Sequence, residues 1–162
     1  MHEDLLLRLG TTVGFLRAVA ANGCADQFGV RPSGHVFALT EHIWHLRDFE
    51  LMAVRPRIDA ILAHDTPQIV EFDGDAVAKN RRYLERDWVE ALNEFAVART
   101  ANIEKLRSLR QTDWKRTALF HGFGPVNLLD LMRMTAEHDD QHIREILALG
   151  QDCPIWEMSS AA

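Results

Sequence analysis

Apolar residues recur every three or four positions along most of the chain, with polar residues between them. This spacing places the apolar residues on one face of an α-helix. Four such stretches are separated by segments that contain most of the glycines and prolines, and they cover roughly residues 3–21, 35–54, 76–109 and 125–149. The pattern predicts an all-α protein, a four-helix bundle that occupies residues 1–150 as a single domain, followed by a C-terminal tail over residues 151–162.

Glycine and proline predict where these helices begin and end. Pro56 is expected to end the second helix, and Pro125 to stand in the first turn of the fourth, which is expected to stop at Gly150. The long third stretch has a weaker pattern before Leu84, where a break is predicted. Residues 65–75 are the least regular part of the chain and are predicted to form a mobile loop. Residues 117–120 are a candidate for extended structure.

Composition and charge exclude several classes of protein. Hydrophobic residues make up 47% of the 162 residues and charged residues 26%, as in an ordinary globular domain. The net charge of −6 provides no positive field for a phosphate backbone, so nucleic-acid binding is not expected. No apolar run reaches the ~18 residues of a membrane-spanning helix, and the first residues are acidic where a secretory signal is basic. A cytoplasmic protein without a membrane partner is therefore expected.

The fourth helix carries the clearest functional signal. Its apolar face is formed by Leu128, Leu131, Met132, Thr135, Ile146 and Leu149. His138 and His142 lie on that same side, one helical turn apart, where two imidazoles can reach one metal ion at about 2.1 Å. A single buried histidine is more often a hydrogen-bonded core residue. Two at this spacing both need partners for their ring nitrogens, and they indicate a metal site.

The same pair differs from the metalloprotease motif HExxH at one decisive position. The sequence is His138-Asp139-Asp140-Gln141-His142, so an aspartate stands where the motif has its glutamate base. Because aspartate is one carbon shorter, it would reach a metal-bound water poorly, and a metalloprotease is not expected. Asp139 falls at the edge of the inward face, where a plain surface carboxylate is the simpler expectation.

A catalytic metal site usually takes a third protein ligand. The histidines at the terminus, at a helix start or in loops are poor candidates, and these are His2, His35, His64 and His121. His42 and His45 both lie within the second helix, which is apolar on most of its sides. Periodicity alone therefore leaves both of them open.

The order of these motifs resembles the DinB family (the DinB/YfiT-like metalloenzymes), which are four-helix bundles with a three-histidine metal site. The family pattern E-x-x-x-H-x-x-D-x-E in the second helix is matched by Glu41, His45, Asp48 and Glu50. Its H-x-x-x-H pair in the last helix is matched by His138 and His142, and the segment from Trp114 to Leu129 also fits. The resemblance therefore implies that the metal ligands are His45, His138 and His142.

Two further positions follow from the resemblance. Glu145 stands where family members often carry glutamine, which bears on substrate contacts more than on the metal. Asp48 has two interpretations: it orients a ligand histidine from behind, or it is a solvated or salt-bridged surface residue.

The resemblance also implies a function. It indicates a metal-dependent transferase or hydrolase, in particular a thiol-dependent S-transferase or isomerase that acts on small molecules with a low-molecular-weight thiol as partner. A homodimer is implied in the same way. Zinc or nickel is the first candidate for the metal, and manganese and iron are also compatible with imidazole ligands. No catalytic residue is assigned.

Two alternatives belong to other classes of protein. A non-catalytic metal-binding stress-response protein would be expected to have a fourth protein ligand, for which His42 and Asp48 are candidates. A metal-free interaction module would contain three core histidines, and a chelator would not change it.

Overall fold

The computed structural model describes residues 2–23, 28–32 and 37–152, in which the long helices form a four-helix bundle and three short strands form a sheet. The helices are α1 (His2–Asn22), α2 (Leu39–Phe49), α3 (Arg55–Ala63), α4 (Gly74–Arg81), α5 (Trp88–Arg107) and α6 (Leu128–Asp152). The strands are β1 (Gln68–Ile69), β2 (Thr117–Phe120) and β3 (Gly124–Asn127). In the bundle, α1 and α2 each pack against both α5 and α6. No helix among the described residues is long and apolar enough to cross a bilayer.

The second long helix does not end before Pro56. After α2 the chain passes through a π-helical segment, Glu50–Val54, directly into α3. The amide of Arg55 bonds to the carbonyl of Glu50, five residues back, and Pro56 lies in the first turn of α3, where its missing N–H costs little. The prediction that Pro56 ends the helix was therefore wrong. The π-helical segment also contains Glu50, whose side chain is fully buried.

The predicted four-helix bundle is confirmed, but the protein is not purely helical, because a small sheet accompanies the helices. β2 and β3 form an antiparallel hairpin, and β1 pairs with β2 in parallel. At the hairpin turn Gly122 and Gly124 both have φ of +84°, a conformation that glycine adopts without steric cost. Pro125 lies in β3, an edge strand that tolerates a residue without an amide hydrogen, and α6 begins only at Leu128.

The remaining boundaries agree with the sequence patterns in part. The predicted break near Leu84 is confirmed, because a 3₁₀ turn at Tyr83–Glu85 separates α4 from α5. Residues 117–120 are extended, as expected. The irregular stretch 65–75 contributes β1 and the start of α4, and α6 continues past Gly150. Most of the predicted tail lies outside the described residues, which end at 152.

Two apolar clusters fill the bundle, and buried polar residues lie between them along the helices. On α1, Thr12 stands between Leu9 of one cluster and Leu16 of the other. The same position between the two clusters is occupied on α5 by Arg99 and Asn102. On α6 it is occupied by Asp139 and His142. The apolar face predicted for α6 is confirmed, since all six of its residues are buried. The bundle therefore contains a polar layer at the level of the candidate histidines.

Arg99 is the centre of this polar layer. Its guanidinium contacts the Asp139 carboxylate at 2.5 Å and the Glu50 carboxylate at 2.9 Å, and it donates to the carbonyl of Leu9 at 2.9 Å. Thr12 donates to Asp139 at 2.8 Å. Burial alone would lower the pKa of Arg99, but the two carboxylates outweigh it and raise the pKa. The same arginine holds the pKa of Asp139 below its ordinary value, although burial opposes this. Arg99 and Asp139 are therefore both charged in the interior.

The expectation of a surface carboxylate at Asp139 was wrong. Asp139 is only 1% exposed, and its partner Arg99 lies 40 positions away in the sequence. A residue at the edge of an amphipathic face turns inward when a buried cation stands opposite, because the ion pair compensates the loss of hydration.

Replacement of Arg99 by alanine is expected to lower the free energy of unfolding by about 3–5 kcal/mol, because Glu50 and Asp139 would stay buried without their cation. Arg107→Ala is the matched control on the same helix. Its ion pair with Glu3 joins two exposed side chains at 3.5 Å, so a change below about 1 kcal/mol is expected. Urea unfolding of both variants measures the difference, and equal losses would contradict the buried network.

Candidate metal centre

Three histidines from two helices bring their ring nitrogens together. The Nε2 atom of His138 on α6 lies 3.0 Å from Nε2 of His45 on α2 and 3.2 Å from Nε2 of His142. One ligand atom from each residue lies within 4.8 Å of the other two. Donors bound to one ion at about 2.1 Å are roughly 3.0–3.4 Å apart in octahedral or tetrahedral geometry. The spacing of these nitrogens therefore fits a single divalent ion without rearrangement of the helices.

The surroundings keep two of these imidazoles neutral. Burial, with the nearby His138, lowers the pKa of His45 from 6.5 to about 4, although Asp48 opposes the shift. Burial also lowers the pKa of His142, and the charges of His138, His45 and His42 add to this effect. A metal binds only the neutral form of histidine. His45 and His142 are thus in their metal-binding protonation state at neutral pH.

The second ring nitrogen of His142, Nδ1, contacts a different set of neighbours. Its Nδ1 atom lies 2.9 Å from Nδ1 of His42 and 3.1 Å from a carboxylate oxygen of Glu145. His42, His142 and Glu145 therefore form a second group with the spacing of metal ligands. The two histidines that periodicity could not separate thus both contact the ring of His142. The choice of His45 over His42 stays a prediction.

Aromatic rings pack around the three histidines. The ring of Phe49 stacks on His138 at a centroid distance of 4.0 Å, and the ring of Phe72 meets His45 at 5.8 Å. Phe37 contacts the rings of both His42 and His45. These contacts restrict the rotamers of the histidines. Within the described part of the chain, the Nδ1 atoms of His45 and His138 are buried without a hydrogen-bond partner, and a carboxylate oxygen of Asp139 lies 3.9 Å from Nδ1 of His138.

Gly74 lies directly against His45 where α4 begins. A Cβ atom at this position would lie 2.3 Å from Cε1 and 2.8 Å from Nδ1 of the His45 ring, well inside van der Waals contact. Any side chain larger than hydrogen would therefore have to displace the ring. The sequence shows a glycine in an irregular segment, but it does not show that the segment folds back onto the second helix.

A pocket of about 270 Å³ opens beside His138. Four phenylalanines from different elements line it, together with Arg57 and Glu71. The side chain of His138 is 24% exposed, whereas His45 and His142 are buried. Within the described part of the chain, His138 is the triad member that borders this pocket.

Asp48 does not fit either interpretation made from the sequence. It is fully buried, so it is not a surface residue. Its carboxylate accepts hydrogen bonds from Tyr83 at 2.6 Å and from Arg81 at 2.9 Å, and it pairs with Arg47. Among the described residues, its hydrogen-bond and ion-pair partners do not include a histidine ring, so it acts on His45 through its charge. Its hydrogen bonds join α2 to α4 and to the turn at Tyr83.

The other histidines lie away from the triad or outside the described residues. His2 stacks on Trp114, and His64 and His121 are exposed. His35 is not among the described residues. Among the described residues, no contact supports His2, His64 or His121 as an additional ligand.

The chain belongs to the DinB superfamily, since a model of that superfamily matches residues 12–146. Among solved structures it is similar to YfiT from Bacillus subtilis, described as a probable metal-dependent hydrolase with an unusual four-helix bundle topology. The two sequences are 17% identical, and the match covers 92% of this chain and 85% of YfiT with a TM-score of 0.83. At this identity the likeness shows the fold alone. A comparison with curated proteins finds no match.

Acid is expected to destabilise the metal-free protein through these buried histidines. The pKa of His45 is about 4 in the folded state and 6.5 when exposed, so between these values the unfolded chain binds more protons. Stability should therefore be full above about pH 6.5 and fall as the pH drops toward about 4. Urea unfolding across this range, with chelator present, measures how steeply the free energy of unfolding changes with pH.

His45→Gln supplies the comparison, because glutamine has no proton to gain. The slope should become shallower in this variant, while the exposed-residue control His121→Gln should keep the slope of the parent protein. An unchanged slope in His45→Gln would show that the ring does not titrate as its burial requires.

Proposed function

We propose that this protein is a metal-dependent enzyme that acts on a small molecule, with one divalent ion held by His45, His138 and His142. The observation that carries the proposal is the convergence of three Nε2 atoms, two of them on imidazoles that burial keeps neutral. Zinc or nickel is the first candidate, with manganese and iron also compatible with imidazole nitrogen.

The donor set favours a catalytic site over a structural one. Structural zinc sites are closed by four protein ligands, whereas catalytic sites have three and an open position. Among the described residues, the group that contains His45 and His138 has only three members. Glu145 belongs to the group on the other nitrogen of His142. The three-histidine group thus supports an enzyme over the non-catalytic metal-binding alternative.

A divalent ion in this site would supply a Lewis acid that lowers the pKa of a bound water or thiol. The chain's own residues hold the rings in place and fix their protons. A carboxylate oxygen of Glu145 lies 3.1 Å from Nδ1 of His142, where it can accept a proton from that nitrogen and leave Nε2 free to bind. Phe49 covers one face of His138 and limits the access of water.

The buried carboxylates near the triad are already paired with arginine. Asp139 is bound by Arg99, and Asp48 by Arg47 and Arg81. Neither is available as a general base.

The reaction class is proposed from the comparisons. The description of YfiT as a probable metal-dependent hydrolase favours hydrolysis. Thiol-dependent S-transfer or isomerisation would use the same open position, and assays with and without a low-molecular-weight thiol separate the two. A homodimer and a cytoplasmic location belong to the same proposal and are supported only by the family resemblance and the sequence.

Elemental mass spectrometry of the untagged protein is expected to find one divalent ion per chain after reconstitution. His45→Ala, His138→Ala and His142→Ala should each lose it while the helical circular dichroism spectrum persists. His42→Ala is the matched control on α2 and should retain the ion. Loss of metal from His42→Ala but not from His45→Ala would place the ion in the other group. No metal in any protein would overturn the proposal.

Gly74→Ala is expected to weaken metal binding by about tenfold or more, because the new methyl group displaces the ring of His45. A competition titration with a chromophoric chelator measures the affinity. Gly14→Ala is the matched control, since a Cβ there meets nothing within 4 Å and α1 should gain at most about 1 kcal/mol of stability. Equal metal affinity in both variants would contradict the role assigned to Gly74.

A further inference from the structure

Arg57 is a buried cation without a carboxylate in contact. It stands on α3, and its side chain is 9% exposed. Its Nη2 atom donates to the carbonyl of Val70 at 2.7 Å, and its guanidinium lies over the rings of Phe120 at 4.8 Å and Phe49 at 5.7 Å. Within the described residues no carboxylate oxygen lies within 4.0 Å of it. Desolvation of such a charge is costly unless an anion compensates it.

The buried Arg99 shows how the desolvation of an arginine charge is fully compensated in this protein. It is bound by two carboxylates, and its pKa is raised despite burial. At Arg57 burial is the largest influence and lowers the pKa, with only the charge of Glu71 opposing it. Arg57 therefore has unused capacity to bind an anion.

Arg57 and His138 border the same pocket. Between them the pocket of about 270 Å³ is walled by Phe49, Phe72 and Phe120. This volume is below the range of drug-sized sites, so it suits a small molecule. Apolar walls exclude water and strengthen the attraction between a guanidinium and an anion. The aromatic rings also offer contact area to an apolar body.

The charge of the pocket limits the ligand to a single negative charge. Glu71 also lines the pocket and is exposed at its edge. A second anionic group on the ligand would meet this carboxylate and be repelled. The pocket thus combines one cation, apolar walls and one opposing anion.

We propose that this pocket binds a small monocarboxylate with an apolar body, its carboxylate on Arg57 and its opposite end beside His138. The inference rests on the proposed function, because it names the class of substrate for that same site. Guanidinium binds carboxylate through paired charge-assisted hydrogen bonds, and only one of its nitrogens is engaged by Val70.

The test uses the full chain and a matched pair of probes, phenylacetate and its neutral isostere phenylacetamide. Isothermal titration calorimetry is expected to show that phenylacetate binds at least about tenfold more tightly than phenylacetamide. Arg57→Met replaces the apolar stem of arginine with a side chain of similar length but removes the charge, and it should abolish the preference for the carboxylate. Arg57→Lys should keep part of it. Arg133→Met removes the same charge from an exposed position and should leave the preference unchanged.

The titrations are run on the zinc-loaded and on the metal-free protein, which separates the two proposals. A preference for the carboxylate that survives without metal and vanishes in Arg57→Met supports the inference, even if the metal proposal fails. Equal binding of acid and amide, or no binding of phenylacetate at millimolar concentration, overturns it while leaving metal binding intact. A folded Arg57→Met protein, checked by circular dichroism, is required for either conclusion. If that variant unfolds, Arg57→Gln takes its place.

Discussion

The guanidinium of Arg99 holds together two carboxylates that reach it from different parts of the bundle. Glu50 comes from the π-helical segment after α2, and Asp139 comes from α6. Each of these charges would be costly in the interior by itself, and they are compatible with burial only when the helices meet in one register. Asp139 is the neighbour of His138 in the chain, and Phe49 next to Glu50 stacks on the ring of His138. The register that satisfies Arg99 therefore also brings α2 and α6 together at the candidate metal centre.

The buried carboxylates are neutralised by arginines, while two of the converging imidazoles stay neutral because they are buried. A divalent ion would therefore enter a site in which the rings of His45 and His142 are neutral and the buried carboxylates Asp139 and Asp48 already have arginine partners. Arg57 is the exception, because among the described residues its guanidinium has no carboxylate oxygen within 4.0 Å, and it borders the same pocket as His138.

The parts of the structure that depend on local patterns could be predicted from the sequence. The amphipathic pattern of α6 identified its buried face and the pair His138 and His142, because apolar residues recur at helical spacing along only one side of this helix. The same reasoning could not assign the inward-facing histidine of α2. This helix is buried on nearly all sides, so periodicity could not distinguish His42 from His45, and both in fact point at His142. The family resemblance, rather than the helical pattern, selected His45.

The features that were missed depend on partners distant in the sequence. Asp139 looked like a surface residue because Arg99 is 40 positions away. Pro56 looked like a helix end because a π-helical turn has no clear signal in the sequence. Gly74 matters only because the irregular segment after β1 folds back against His45. Burial and polar pairing across the bundle, not local propensity, decide these positions.

X-ray absorption spectroscopy of the zinc-loaded protein tests the central claim most directly, because it counts imidazole ligands around the ion. The account predicts three imidazole nitrogens at about 2.0–2.1 Å and at least one exchangeable light-atom ligand. Two imidazoles with a carboxylate would place the ion between His42, His142 and Glu145, and four protein ligands without an exchangeable one would indicate a structural site. Either result would contradict the account.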